Sequence, residues 1–332
     1  MIVSSTVIPR RRRSCRHFGE DRWLEALEGQ ITIGIYVPGP FPYLEVPKPG
    51  WHIRPGIQLS LEDQFVYHYI ALQAVDVVGP ALEWTAETVR FSYRLSAPGK
   101  HSWFKWRFNG WKNFSTVSLG KLSGDAQFVL ESDVSGFYEN VDIGRLVQEL
   151  LAAGVNQSVT KQLSLFWNKW SGTRQRGIPQ GYSPSDLFAE FYMDPLDLRL
   201  KGANLDHIRY VDDIRIFTKD EKSARRGLHE LERTLRTRGL NPQTAKTKIL
   251  RASEAKEKFS RVQRLLGQVS KKMGEEFKLA SDSGGDYISL ADLREYLKAD
   301  PDKPKPEVVE RAWQSFVNGD FGPFDKTLFT TC

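Results

Sequence analysis

The 332-residue chain has almost no cysteine: Cys15 and Cys332 stand alone, at opposite ends. Two thiols so placed build no disulfide framework, and with six scattered histidines they give no zinc spacing. A reducing, cytoplasmic compartment is therefore expected. Long apolar runs are also missing. No stretch approaches roughly eighteen uninterrupted apolar residues, so no membrane span is expected. The opening MIVSSTVIPRRRR puts its charge after a very short apolar run, the reverse of a secretory signal. Internal repeats and low-complexity tracts are absent, and 12% aromatic with 40% hydrophobic residues exclude a largely disordered chain.

Charge of one sign is scarce as well. There are 47 basic and 41 acidic residues, and the arginines at 10–13 and 16 supply all but one unit of the +6 excess. Global charge therefore says little about partners. The cluster itself reads as a basic arm, either simply solvated or able to bind RNA.

What is present has a clear order. Residues 31–57 alternate short apolar runs with proline and glycine, as strands joined by turns do. Apolar spacing predicts a helix over 61–82 stopped by Gly79-Pro80, and Asn109-Gly110 between aromatic flanks predicts a two-residue hairpin. A strand at 127–134, helices at 141–153 and 158–170, a glycine turn at 177–181 and a helix at 184–200 follow. Then come two strands within 207–217, a charged helix at 220–238, a strand ending NPQTAKTKIL, and helices over the last eighty residues. The mixture is α+β.

Two strands carry acids where an apolar residue is expected. Asp133 ends FVLESD, and Asp212-Asp213 interrupt RYVDDIRIF. Carboxylates at strand ends are costly without a cation or a hydrogen-bonding shell. Three converging from two strands would form an all-oxygen site for Mg²⁺, and two such ions suit phosphoryl transfer. A lone Asp-Asp pair is more simply a solvated turn.

The neighbouring residues favour the former reading. Tyr210-Val211-Asp212-Asp213 between Ile208 and Ile214 resembles the central palm hairpin of reverse transcriptases. Asp133-Val134-Ser135-Gly136-Phe137-Tyr138 resembles their first catalytic motif, and Arg176-Gly177-Ile178-Pro179-Gln180-Gly181 the motif facing template and nucleotide. Val46-Pro47-Lys48-Pro49-Gly50 with Ile53-Arg54-Pro55 looks like the fingers hairpin, and Leu240-Asn241-Pro242 with Lys246-Thr247-Lys248 like the motif after the hairpin. The similarity covers about 44–250.

The resemblance implies a right-hand polymerase. Its basic arm and fingers would occupy 1–118, its palm 119–250 with 155–182 facing the fingers, and a short helical thumb or C-terminal region 251–332. It implies two Mg²⁺ ions, with Mn²⁺ as a substitute, on Asp133, Asp212, Asp213 and the Val134 carbonyl. It gives Lys246 the role of proton donor to pyrophosphate, with Lys248 competing. Lys48 and Arg54 would hold the triphosphate, Gln180 and Gly181 the nucleotide, and Tyr138 would gate the ribose 2′-position. Trp103, Lys105, Trp106 and Arg107 interleave rings and cations as a nucleic-acid platform does, or as a hairpin with one face in the core does.

Expected partners are dNTPs, an RNA template or noncoding RNA, and the DNA product. A second copy or a second protein of a defence operon would complete the set, with no membrane. Retron segments (Asn-Ala-x-x-His and Val-Thr-Gly), maturase and RNase H regions are not found, so by elimination the chain resembles the compact antiviral reverse transcriptases. A catalytically silent RNA-binding scaffold, a group II intron or retron-like enzyme, and an RNA polymerase are the alternatives.

Overall fold

The computed structural model describes residues 20–47, 53–96, 103–105, 107–261 and 264. Helix α1 (Glu20–Thr32) leads to the hairpin β1 (Tyr43–Pro47) and β2 (Ile53–Ile57). Two long helices follow, α2 (Leu61–Glu83) and α3 (Arg107–Ser123), and then strand β3 (Phe128–Ser132). Next come α4 (Phe137–Asn140), α5 (Ile143–Ala152), α6 (Gln157–Ser171) and α7 (Ser183–Gly202). The hairpin β4 (Asp206–Tyr210) and β5 (Asp213–Thr218), helix α8 (Glu221–Thr237) and β6 (Lys248–Arg251) complete the central unit. A helical run at 252–261 continues from β6. The expectation of a wholly helical C-terminal region otherwise lies outside the described residues.

The second sheet has the order β4-β5-β3-β6 and is antiparallel throughout. Both of its faces are covered, and the two-residue period of each strand decides what goes where. Leu130, Ile214 and Ile216 join the larger core, while Val129, Ile208 and Phe217 pack with Phe114, Ala255 and Phe259 in a smaller one. Helix α8 fits against the sheet because Ala224, Gly227, Leu231 and Leu235 recur on one side while charged residues fill the other. Its N-terminus is closed by Asp220, whose side chain accepts from Ser223 N; Asp142 does the same for α5 through Arg145 N.

Three local expectations are corrected. Residues 20–32 are helical and 33–42 irregular, so only 43–47 and 53–57 of the N-terminal stretch pair as strands. Helix α2 runs through Gly79-Pro80 to Glu83. Pro80 costs the helix only the donor to the Asp76 carbonyl, and burial of Val78 and Leu82 in the core holds the segment helical. The helix-end carbonyl of Leu82 is taken up by Thr85 Oγ1 at 2.9 Å and Arg90 Nη2 at 3.1 Å. By length and composition α2 could also cross a membrane, although no uninterrupted apolar run pointed to it. Here it is a central helix, with Val66, Tyr67, Ile70, Ala74 and Val78 buried.

The third correction concerns Asn109-Gly110, which lies in α3 and not in a hairpin. The glycine serves packing. A Cβ at position 110 would stand 2.3 Å from the backbone oxygen of Phe91, so only glycine lets α3 approach that segment. Trp111 then meets Tyr210 edge-on at 5.0 Å, close to the Asp212-Asp213 pair.

Gly110→Ala should therefore destabilise the fold by about 2–3 kcal/mol through overpacking. Gly120→Ala, where nothing lies within 4 Å of the new Cβ, should be neutral or mildly stabilising. Denaturant unfolding of the two variants checks the contrast.

Candidate active site

Asp133 is the first residue beyond β3, and Asp213 the first of β5. Ser132 pairs with Ile214, and Glu131 pairs with Lys248. Carried on, those registers set Asp133 opposite Asp213 on one side and Lys246 on the other. Opposed residues of an antiparallel pair share a face, so Asp213, Asp133 and Lys246 form a row across one end of the sheet. The row closes in a contact: Lys246 Nζ donates to Asp133 Oδ2 at 2.7 Å. A turn holds the lysine there. Lys246 N and Thr247 N both donate to Gln243 O at 2.9 Å, and Gln243 N donates to Asp133 O at 2.7 Å.

One row further in, the same strands present Arg215 and Glu131. The Arg215 guanidinium lies between the rings of Phe114 and Phe259, 4.3 and 3.6 Å from their centroids, and donates to Ser118 Oγ at 2.7 Å. Lys258, on the helical run after β6, is hydrogen-bonded to Glu131. Asp212 is the second residue of the two-residue turn between β4 and β5.

The carboxylates feel one another. Burial, then the charges of Asp133 and Asp213, push the Asp212 carboxyl well above its ordinary value. Asp213 is raised to about 6 by burial and Asp133, against the pull of Arg215 and Lys246. Burial lowers the Lys246 ammonium, but its hydrogen bond to Asp133 and the three nearby acids outweigh this and hold it above the usual lysine value. Among the described residues no three His, Cys, Asp or Glu side chains are gathered as a ready metal cage. The convergence expected from sequence is thus a shared corner, with Asp133 drawn onto the lysine.

The other expected site residues are distributed as follows. Val134 is buried and bridges Pro242. Tyr138 is only 6% exposed, and its hydroxyl donates to Asp186 Oδ1 at 2.6 Å, which fixes its ring. Gln180 is half-buried, and Gly181 has a φ of +93°. Gly177, at +98°, abuts the Glu139 backbone, where a Cβ would come within 3.1 Å of the Glu139 oxygen. That contact ties the 177–181 turn to the segment after Asp133. Trp103 is half-buried and edge-on to His68 at 5.5 Å, whereas Lys105 is exposed beside Glu87. Lys48, Trp106 and the side chains of Arg54 and Arg107 lie outside the described residues.

A buried polar group under the hairpin was not anticipated from sequence. Arg209 is fully buried, with Nε donating to Asp197 at 2.8–2.9 Å and Nη1 donating to Glu190. His207 Nε2 lies 3.3 Å from Asp197 Oδ1, and Ser92 Oγ donates to Glu190. A signal was available. Glu190 and Asp197 are seven apart on an apolar helix, hence on one face, and Arg209 interrupts an apolar strand.

Residues 77–273 match the family described as reverse transcriptase (RNA-dependent DNA polymerase). The chain belongs to the reverse transcriptase family. Its mixture of helices and antiparallel sheets is the palm-and-fingers fold of that family. Among solved structures, apo telomerase from Candida tropicalis is 13% identical, over 70% of this chain and 50% of its own, with a TM-score of 0.42. Telomerase from Candida albicans with a TWJ fragment of telomeric RNA is 12% identical, over 69% and 45%, with a TM-score of 0.45. A partial Cas6-RT-Cas1–Cas2 complex is 20% identical, over 68% and 38%, with a TM-score of 0.34. The chain spans half or less of these proteins' lengths. No curated protein matches.

The buried group yields a stability test. Asp194 accepts from Trp84 Nε1 at 2.9 Å, and burial, with Asp197 adding, raises its carboxyl to about 6 against Trp84, Arg209 and Arg90. A carboxyl with a raised folded value weakens the fold as pH climbs from the ordinary value through the raised one. Asp194→Asn keeps an acceptor oxygen without the charge. It should exceed the wild type by about 1–2 kcal/mol at pH 7.5 and match it near pH 4. Thermal midpoints at the two pH values check this.

Proposed function

We propose that this chain synthesises DNA on an RNA template by metal-assisted phosphoryl transfer, with Asp133, Asp212 and Asp213 as the catalytic carboxylates. The observation that carries the reading is the corner where acids from separate palm segments meet beside Lys246, with burial and then the neighbouring acids raising the Asp212 and Asp213 carboxyls. Mutual repulsion of this kind is what a divalent cation relieves, and carboxylate oxygens with the Val134 carbonyl are donors of the kind Mg²⁺ or Mn²⁺ takes. In donor chemistry the residues present suit such ions, which Asp133 would meet on leaving Lys246. Bound ions would supply Lewis-acid stabilisation of the attacking hydroxyl and the leaving pyrophosphate.

The chain's own residues do the rest. Lys246, held protonated by its acidic neighbours, donates a proton to the departing pyrophosphate. Tyr138, its ring fixed by Asp186, stands five residues past Asp133 as the gate against a ribose 2′-hydroxyl. Gly177 and Gly181 give the 177–181 turn a backbone that a nucleotide can approach, with Gln180 contacting it. Lys48 and Arg54 hold the triphosphate, and Trp103, Lys105, Trp106 and Arg107 the nucleic acid, with Lys105 exposed to meet it. The arm and fingers (1–118), palm (119–250) and thumb (251–332) divide these tasks. The template is a noncoding RNA, the setting cytoplasmic and the role antiviral defence. Sequence elimination supports that last point.

Full-length protein with Mg²⁺, labelled dTTP and poly(rA)·oligo(dT) tests the chemistry. Asp212→Asn with Asp213→Asn should reduce incorporation by at least about 10²–10³-fold while leaving RNA binding intact. Unchanged synthesis would reject the assigned site. Tyr138→Ala should raise ribonucleotide incorporation relative to deoxyribonucleotide; an unaltered ratio removes its role as the gate.

A further inference from the structure

The turn that carries Asp212 is sterically unusual. Among the described residues, five that bear a side chain have positive φ, and Val211, at +56°, is the only β-branched one. Two-residue hairpins need positive φ at their first central position, which glycine, asparagine or aspartate normally supplies. A branched side chain resists that conformation, so something must hold it.

Both polar groups of Val211 are held. Its N–H donates to Ser92 Oγ at 2.8 Å, and its carbonyl accepts from Arg209 Nη1 at 3.3 Å. Ser92 Oγ donates to Glu190 Oε1, and the same Arg209 nitrogen donates to Glu190 Oε2. The bonds close a ring around Val211 through one serine, one carboxylate and one guanidinium, all at most 1% exposed. Ser92 is delivered by the neighbouring segment: Phe91 N donates to Arg209 O at 3.1 Å, and Arg209 N to Val89 O at 2.8 Å. Asp197 balances the arginine from its other side.

Packing alone does not account for this ring. Buried ion pairs commonly give no more stability than apolar residues of similar volume. Here the bonds converge on the one strained backbone unit, and the next residue is Asp212. We propose that Ser92, Glu190 and Arg209 are positioning residues, a clamp that keeps Val211 left-handed and so sets the direction in which Asp212 leaves the hairpin. The catalytic consequence rests on the polymerase reading above; the backbone consequence does not.

The test uses the full chain and two readouts. In the first, amide exchange is followed at Val211 and, as a reference, at Ile214 and Ile216. Ser92→Ala should speed exchange at Val211 by about fivefold or more while the β5 amides stay protected. Equal exchange at Val211 in wild type and variant overturns the clamp. In the second, dTTP incorporation on poly(rA)·oligo(dT) is measured. Ser92→Ala should lower kcat by about tenfold or more with KM for dTTP little changed. Val211→Gly, which adopts positive φ without steric cost, should make the enzyme much less sensitive to Ser92→Ala. An undiminished loss in the glycine background overturns the proposal, since a purely packing role for Ser92 would ignore the residue at 211. Should Ser92→Ala not fold, Glu190→Gln breaks one link of the same ring and is read identically. A wild type that incorporates no dTTP counts against the polymerase reading, and the exchange readout still decides the clamp.

Discussion

Like charges held together at one corner of a sheet are the constraint around which this molecule is organised. Two carboxylates about 4 Å apart at an effective dielectric of about 20 repel by about 4 kcal/mol. Burial together with this repulsion raises the Asp212 and Asp213 carboxyls, and the Lys246 ammonium donates to Asp133. A fold tolerates such a corner only if rigid elements on every side fix it. The antiparallel registers of β3 with β5 and with β6 provide that, because carried one step on they set Asp213, Asp133 and Lys246 in one row, which the turn at Gln243 then fixes.

Support is graded inward from the corner. In the next row the charges are paired and stacked, with Arg215 between two aromatic rings and Glu131 bridging to Lys258. Beyond it the same face is apolar, with Val129, Phe217 and Leu250 against Phe114 and Phe259. The Lys258 contact ties the helical run after β6 to the strands that carry the acids. On the opposite face the Arg209 group does the equivalent work for the hairpin, and Gly110 allows α3 to press the 89–92 segment close enough to take part.

The strand-end positions of the acids and most of the sheet elements were legible in the sequence, because an acid in an apolar strand stands out and strands keep a strict two-residue period. Lys246, in contrast, was singled out only through the family resemblance. Other features were hidden for physical reasons. Asn109-Gly110 carries the chemistry of a tight turn, yet its glycine answers to the oxygen of Phe91, a contact no local pattern encodes. Gly79-Pro80 reads as a helix stop, but burial of Val78 and Leu82 on either side of it holds α2 helical to Glu83. Glu190, Asp197 and Arg209 were visible as anomalies singly. Their meaning depends on Ser92, about a hundred residues away in sequence from Glu190.

The central claim is that the corner is built for divalent cations. Calorimetric titration of Mn²⁺ into the full-length protein, compared with Asp133→Asn and with Asp212→Asn, tests it most directly. The account predicts saturable binding in the wild type that either substitution weakens by at least about tenfold. Binding of undiminished strength in both variants would contradict it.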